Sequence, residues 1–253
     1  MRAGLIFLVG VLLLVTALVA RAPATLLDAR LDAATRGRLR LVDAAGTLWD
    51  GTGELRLTPG ESALPVAWRV DAWPLLTGEL RGTIALAGAA PAAFMVDRRD
   101  AEVRDLGVEL PAQAVLRALD APMIVAGGQV ALRTPRLAWR AERIDGELGV
   151  RWSAASVSLA GLPMAQSPAL ALGDVRFDAT GQADALSGPL SNVGGEVELS
   201  GSASTSVGGK ARVDVSLTPR AGLDAERASA LKSMLSAVAQ PDAAGAFRIV
   251  WPR

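Results

Sequence analysis

The sequence predicts a mainly β protein behind a single N-terminal transmembrane helix, and three observations predict it. An uncharged run, Ala3–Ala20, lies between Arg2 and Arg21. After residue 45, apolar and polar side chains alternate with period two, the signature of strands with one buried and one wetted face. Turn chemistry interrupts this alternation at short intervals, at Thr77-Gly78, Gly88, Gly127-Gly128, Asp145-Gly146, Gly194-Gly195 and Gly208-Gly209.

The apolar run is eighteen residues long. As a helix rising ~1.5 Å per residue it reaches about 27 Å, close to the roughly 30 Å hydrocarbon core of a bilayer. A cleaved secretory signal is the competing reading. Cutting after Ala20 puts the bulky Leu18 at the −3 position, and cutting after Ala22 places Pro23 beyond the bond. The run also exceeds the roughly 7–15 residues of a signal core. Residues 1–22 are therefore read as an uncleaved signal-anchor, with residues 23–253 delivered across the membrane as a β-rich domain. Leu110–Leu119 and Gly222–Gln240 are too broken by charge to form a second span.

Pro23–Arg40 continues helically for some turns before the first strand. Strand faces follow in order: Val66, Trp68 and Val70 around Ala67 and Arg69; Val130 and Leu132; Leu148, Val150 and Trp152; Val175 and Phe177; Val213, Val215 and Leu217; and Phe247, Ile249 and Trp251. A sheet wetted on one side favours antiparallel pairing. Two stretches read as helices. Pro111–Leu119 gathers Val115, Leu116 and Leu119; Gly222–Gln240 has Asp224 as its cap, Glu226 in its first turn, a Leu231, Leu235 and Val238 stripe, and Pro241 as its stop. A faint repeat joins Trp68 to Leu76-Thr77-Gly78-Glu79-Leu80 and Trp139 to Ile144-Asp145-Gly146-Glu147-Leu148. The Trp-to-Gly spacing is ten residues in one and seven in the other, so it is a recurring hairpin rather than a strict repeat. Such hairpins side by side make a long, curved, largely antiparallel sheet. Its apolar face needs cover from one or two short helices, a partner or lipid.

Composition removes most chemistries. Lys+Arg and Asp+Glu both number 26, so no overall field holds a polyanion and nucleic acid is excluded as a partner. His and Cys are both absent, which rules out a Ser-His-Asp triad, a thiol nucleophile and the usual zinc, haem and iron–sulfur ligand sets. Ser229-Ala230-Leu231-Lys232 matches Ser-x-x-Lys but lacks the accompanying Lys-Thr-Gly and Ser-Asp-Asn. Gly208-Gly209-Lys210 fails as a phosphate loop, and Gly51-Thr52-Gly53-Glu54-Leu55-Arg56 fails as a dinucleotide fingerprint. No catalytic, cofactor-binding or metal-ligating residue is nominated, and no cofactor is expected. The segment Asp97–Asp105 carries seven charges in nine positions and reads as a solvated connector or a charged edge strand, with a recognition patch as the alternative. The six tryptophans read as core or membrane-interface anchors.

One segment carries a resemblance. Gly46-Thr47-Leu48-Trp49-Asp50-Gly51 sits between a short apolar strand and Glu54-Leu55-Arg56-Leu57, reading as strand, tight turn, strand with Trp49 packed. This hexapeptide, some way behind an N-terminal anchor, resembles the hallmark of the type II secretion system protein N family. Trp68 with Leu75–Leu80, and the last helix running into Pro241–Phe247, are similar to further blocks of that family. The resemblance implies a non-enzymatic accessory component in the inner membrane of a Gram-negative bacterium. The bulk of the chain is then periplasmic, and its partners are inner-membrane platform subunits and the outer-membrane secretin. Gly46, Thr47, Leu48, Trp49 and Gly51 are its candidate site residues, structural or in contact with a partner. Hairpins rich in Trp and Gly behind an anchor also resemble AsmA-like periplasmic proteins, so lipid held in an apolar groove is the alternative function.

Overall fold

The computed structural model describes residues 21–35, 37, 39–57, 63–118, 124–159, 169–207, 210–236, 239–242 and 245–252. The chain divides into two compact units, Met1–Pro91 and Ala92–Arg253. The membrane-span reading falls on residues 1–20, which lie outside the described residues, as do the Gly208-Gly209 turn and Val238. Among the described residues no helix is long and apolar enough to cross a membrane.

In the first unit, helix α1 (Thr25–Thr35) leads into β1 (Leu39–Gly46), β2 (Asp50–Leu57), β3 (Ala63–Asp71), a 3-10 turn (Pro74–Thr77) and β4 (Leu80–Leu86). Each strand pairs antiparallel with the next. Period-two burial follows from the sequence: Val66 and Trp68 are buried while Arg69 between β-face positions is exposed. Leu27 and Leu31, one helical turn apart, lay α1 on the core of Ala24, Leu41, Val66 and Trp68. The helix is tied down by polar contacts too, since the Leu41 amide donates to Asp28 Oδ1 at 2.9 Å. The Leu39 amide donates to Thr35 Oγ1 at 3.0 Å where the helix gives way to β1, so the helical turns expected within Pro23–Arg40 are Thr25–Thr35.

The second unit holds β5 (Ala92–Val96), β6 (Asp100–Pro111), α2 (Ala112–Ala118), β7 (Ile124–Arg140), β8 (Arg143–Leu159), β9 (Leu170–Gln182), β10 (Ala185–Val193), β11 (Val197–Ser206), β12 (Ala211–Pro219), α3 (Ala225–Ser236) and β13 (Phe247–Pro252). Again every strand pairs antiparallel with its chain neighbour. The mainly β, antiparallel, hairpin-built reading is borne out. Three short α-helices accompany the strands among the described residues, each inside one of the stretches read as helical, Pro23–Arg40, Pro111–Leu119 and Gly222–Gln240. Helix α3 starts as expected, with the Arg227 amide donating to Asp224 Oδ1 at 2.7 Å. Its Leu231 and Leu235 then cap the apolar face of the sheet, packing with Val175, Val197, Leu199, Leu217 and Phe247.

Three local expectations are overturned. Gly127-Gly128 and Asp145-Gly146 are not turns. They lie inside the 17-residue strands β7 and β8, whose hairpin closes at Ala141-Glu142. The register slips between Gly127 and Gln129 and between Arg133 and Leu137, so the glycines mark bulges that let two long strands twist together. In the faint repeat, therefore, Gly78 follows a turn whereas Gly146 sits within a ladder. Finally, β6 is not an edge: it carries Asp100–Asp105 between β5 and β7.

Leu235 is 2% exposed at the centre of the α3–sheet core. Leu235→Ala is expected to lower unfolding stability by about 2–5 kcal/mol, read from the urea midpoint by tryptophan fluorescence; a wild-type midpoint would mean α3 does not cover the sheet in solution.

Candidate interaction surface

The hexapeptide that singled out this chain forms the β1–β2 turn, and its residues are fastened from three directions. Gly46 has φ of 92°, and a Cβ there would fall 2.5 Å from the Asp50 carbonyl oxygen, so the turn needs glycine. The Thr47 amide donates to that carbonyl at 2.8 Å. Thr47 Oγ1 accepts from the amides of Trp49 at 3.2 Å and Asp50 at 3.1 Å, a side-chain-built turn. The Leu48 amide donates to Ala22 O at 2.8 Å and the Ala24 amide to Gly46 O at 3.3 Å, so the segment leading out of the apolar run is laid along the turn.

From the other side comes Trp68. Its Nε1 donates to the carbonyls of both Thr47 and Leu48, each at 3.2 Å, satisfying an indole that is only 8% exposed. Gly51 is register partner to Trp68, and a Cβ at Gly51 would fall 2.5 Å from Trp68 Cζ2. The missing side chain at Gly51 is the space the indole occupies. Trp49 is half-buried, and its carbonyl accepts from the Val70 amide at 2.6 Å. Sequence reading assigned the packed role to Trp49, which is half-buried; the more enclosed indole of this site is Trp68. Its signal was the period-two alternation, which put Trp68 between Val66 and Val70 on the apolar face. Gly46, Thr47, Leu48, Trp49 and Gly51 are thus brought together as one turn, with Asp50 pairing outward to Arg69 at 3.0 Å.

The second unit holds two ionic clusters that sequence reading passed over. Glu102 is 4% exposed and receives Arg136 through Nε and Nη2, both at 3.1 Å, together with Arg104 and, at 3.7 Å, Arg140. Hydrogen bonds from Arg136 and then Arg104 outweigh burial and hold its carboxyl down at about 2, from an ordinary 4.5. The dense charge of Asp97–Asp105 concealed the one buried carboxylate within it. Glu196, between β10 and β11, accepts from Arg227 Nη2 at 2.7 Å and from the Ala171 amide at 3.0 Å, latching α3 to the sheet. The Arg227 hydrogen bond holds the Glu196 carboxyl below its ordinary range.

A groove of about 770 Å³ runs over β6–β9. Glu109, Arg133, Glu147, Arg151, Arg176 and Asp178 line it, and charged and apolar surface share its walls. Ser229 and Lys232 are both exposed on α3. Among the described residues no group of three or more carboxylates could hold a metal ion. What the geometry defines is a hairpin scaffold with a rigid, backbone-sealed turn at the exit of the N-terminal segment.

The family described as type II secretion system (T2SS), protein N, matches residues 37–250, from before β1 into β13. The chain belongs to the type II secretion system protein N family and is accordingly a component of type II secretion. Neither a curated protein nor a solved structure matches it.

Trp68→Ala is expected to cost about 3–5 kcal/mol of stability, and Gly51→Ala about 1–3 kcal/mol through overpacking against the ring, both measured by chemical unfolding. Equal, near-zero losses would place the indole outside the core. Because the folded pKa of Glu102 lies below its ordinary value, its stabilisation is complete at neutral pH and is lost as pH falls from about 4.5 to about 2. Glu102→Gln is expected to be less stable than wild type at pH 7 and to show a flatter acid limb in that window, by unfolding midpoints against pH.

Proposed function

We propose that this chain is a non-enzymatic accessory component of the type II secretion machine, held in the inner membrane by residues 1–22 with residues 23–253 in the periplasm. The family match over 37–250 carries this reading, and the uncharged Ala3–Ala20 run directly ahead of the folded part supports the anchor. Without His or Cys, and with its most perturbed carboxylate committed to arginines inside a sheet, the chain offers binding surface rather than reactive groups.

Contacts with inner-membrane platform subunits and the outer-membrane secretin are the proposed mode of action, transmitted by strand edges and turns. Strand β13 has β12 as its neighbour, and Val250 on it is 49% exposed, which makes it a natural place for a partner strand to add. The motif turn of Gly46, Thr47, Leu48, Trp49 and Gly51 is proposed to act structurally, by fixing the exit of the anchor against the first sheet. Export of folded proteins then depends on a scaffold held at a defined place on the membrane. The lipid-holding alternative draws no specific support from the groove, because charged side chains interrupt the apolar surface along its walls.

The test is cross-linking in intact membranes followed by deletion of the gene. Recovery of secretin or platform subunits, with exported proteins piling up in the periplasm of the deletion strain, is the expected result. Cross-linked membranes that never yield a secretion subunit, together with undiminished export, would remove the reading.

A further inference from the structure

The connection between β3 and β4 carries an indole that the fold does not use. Trp73 is 81% exposed, and Leu75, two residues on, is 36% exposed. They are held on a stiff support: the Gly78 amide donates to Leu75 O and the Glu79 amide to Pro74 O, both at 3.0 Å, while Thr77 Oγ1 donates to Pro74 O at 2.7 Å. A large apolar side chain displayed on a hydrogen-bonded turn is costly to leave in water and calls for something to cover it.

The position of the turn identifies the cover. Because β1–β4 alternate in direction, the β1–β2 turn and the β3–β4 connection lie at the same end of the first unit, as the pairs Gly46–Gly51, Gly51–Trp68 and Asp71–Arg81 show. The chain also enters the unit at that end, where Ala22 O accepts the Leu48 amide. The uncharged run ends at Ala20, only two residues before this fastening. Whatever surface the run enters is therefore held close to Trp73. The opposite end of the unit, where β4 gives way to Ala87-Gly88, lies about 20 Å off, at ~3.3 Å for each of its seven residues. Charges at the near end are largely self-compensated, with Arg69 on Asp50 at 3.0 Å and Arg81 on Glu79 at 2.8 Å, so no strong field opposes contact with zwitterionic headgroups. Indoles favour that boundary, with the ring in the acyl region and the N–H in the headgroups.

We propose that this end of the first unit lies on the phospholipid surface, with Trp73 and Leu75 seated at the headgroup–acyl boundary, so that the unit is docked on the bilayer rather than merely tethered to it. The proposal rests on the anchor reading above, and the experiment separates the two. The chain has no cysteine, so single-cysteine variants of the full chain take one label each. Gly10→Cys, Trp73→Cys, Leu75→Cys and Ala90→Cys, the last at the far end, are labelled with an environment-sensitive dye. Each is reconstituted in phosphatidylcholine vesicles containing quencher-tagged lipids. Leu75→Cys keeps Trp73 in place, and both turn positions are exposed, so folding is not at stake.

The expected result is quenching at positions 10, 73 and 75 with position 90 unaffected. Quenching at 10 without quenching at 73 and 75 overturns the proposal, leaves the anchor standing and leaves the turn for a protein partner. Equal quenching at 73 and 90 also overturns it, since the unit then has no preferred face. No quenching at 10 overturns the anchor itself and the proposal with it.

Discussion

A buried indole needs a partner for its N–H, and in this protein that need binds three chain segments together. Trp68 reaches from β3 to two successive carbonyls of the β1–β2 turn, and the same turn receives the backbone of Ala22 and Ala24. One side chain thereby couples the first sheet, its leading hairpin and the segment arriving from the apolar run. Leaving that N–H unmet in an apolar setting is unfavourable, so the turn geometry and the packing of Trp68 cannot vary independently. This accounts for a short motif with little chemistry of its own: Gly46 supplies the backbone conformation, Gly51 the room for the ring, and Thr47 the internal hydrogen bonds.

The second unit solves a different problem. Long antiparallel strands expose one face to water and need cover on the other. Helix α3 supplies that cover through Leu231 and Leu235 and is latched by Arg227 on Glu196. The wet face is held by paired charges. Most of these pairs are exposed and contribute little individually. Glu102 differs, because its carboxylate is enclosed and three arginine side chains converge on it from β6 and β7. Loss of any one arginine leaves others to compensate, whereas loss of the carboxylate leaves like charges adjacent. A backbone-sealed turn in one unit and a charge-stitched sheet in the other suit a protein that acts by holding components in place, as a part of a secretion machine does.

The turn motif was legible as residues but not as a site. Period-two alternation located Val66, Trp68 and Val70, and the glycines of 46–51 marked a tight turn. That Trp68, and not Trp49, fills the space above Gly51 depends on the register of β2 against β3, which pairs residues 17 positions apart. Glu102 was hidden for a related reason: a charge-rich stretch looks solvated until it is known which of its residues points between two neighbouring strands. Gly127-Gly128 and Gly146 misled because a glycine that permits a turn equally permits a bulge, and only the partner strand distinguishes them.

Taken alone, the amino-acid order determined the uncharged N-terminal run, the antiparallel β character, the start of α3 at Asp224, the lack of thiol and imidazole chemistry and the family to which the chain belongs. These properties depend on side-chain type and on spacing within a few residues. Tertiary structure decided which tryptophan is enclosed, where the long strands bulge, which carboxylate is buried and that Trp73 is displayed at the end where the chain enters. Each of those depends on strand register, and register is set by the summed packing of residues far apart in the chain rather than by any local preference.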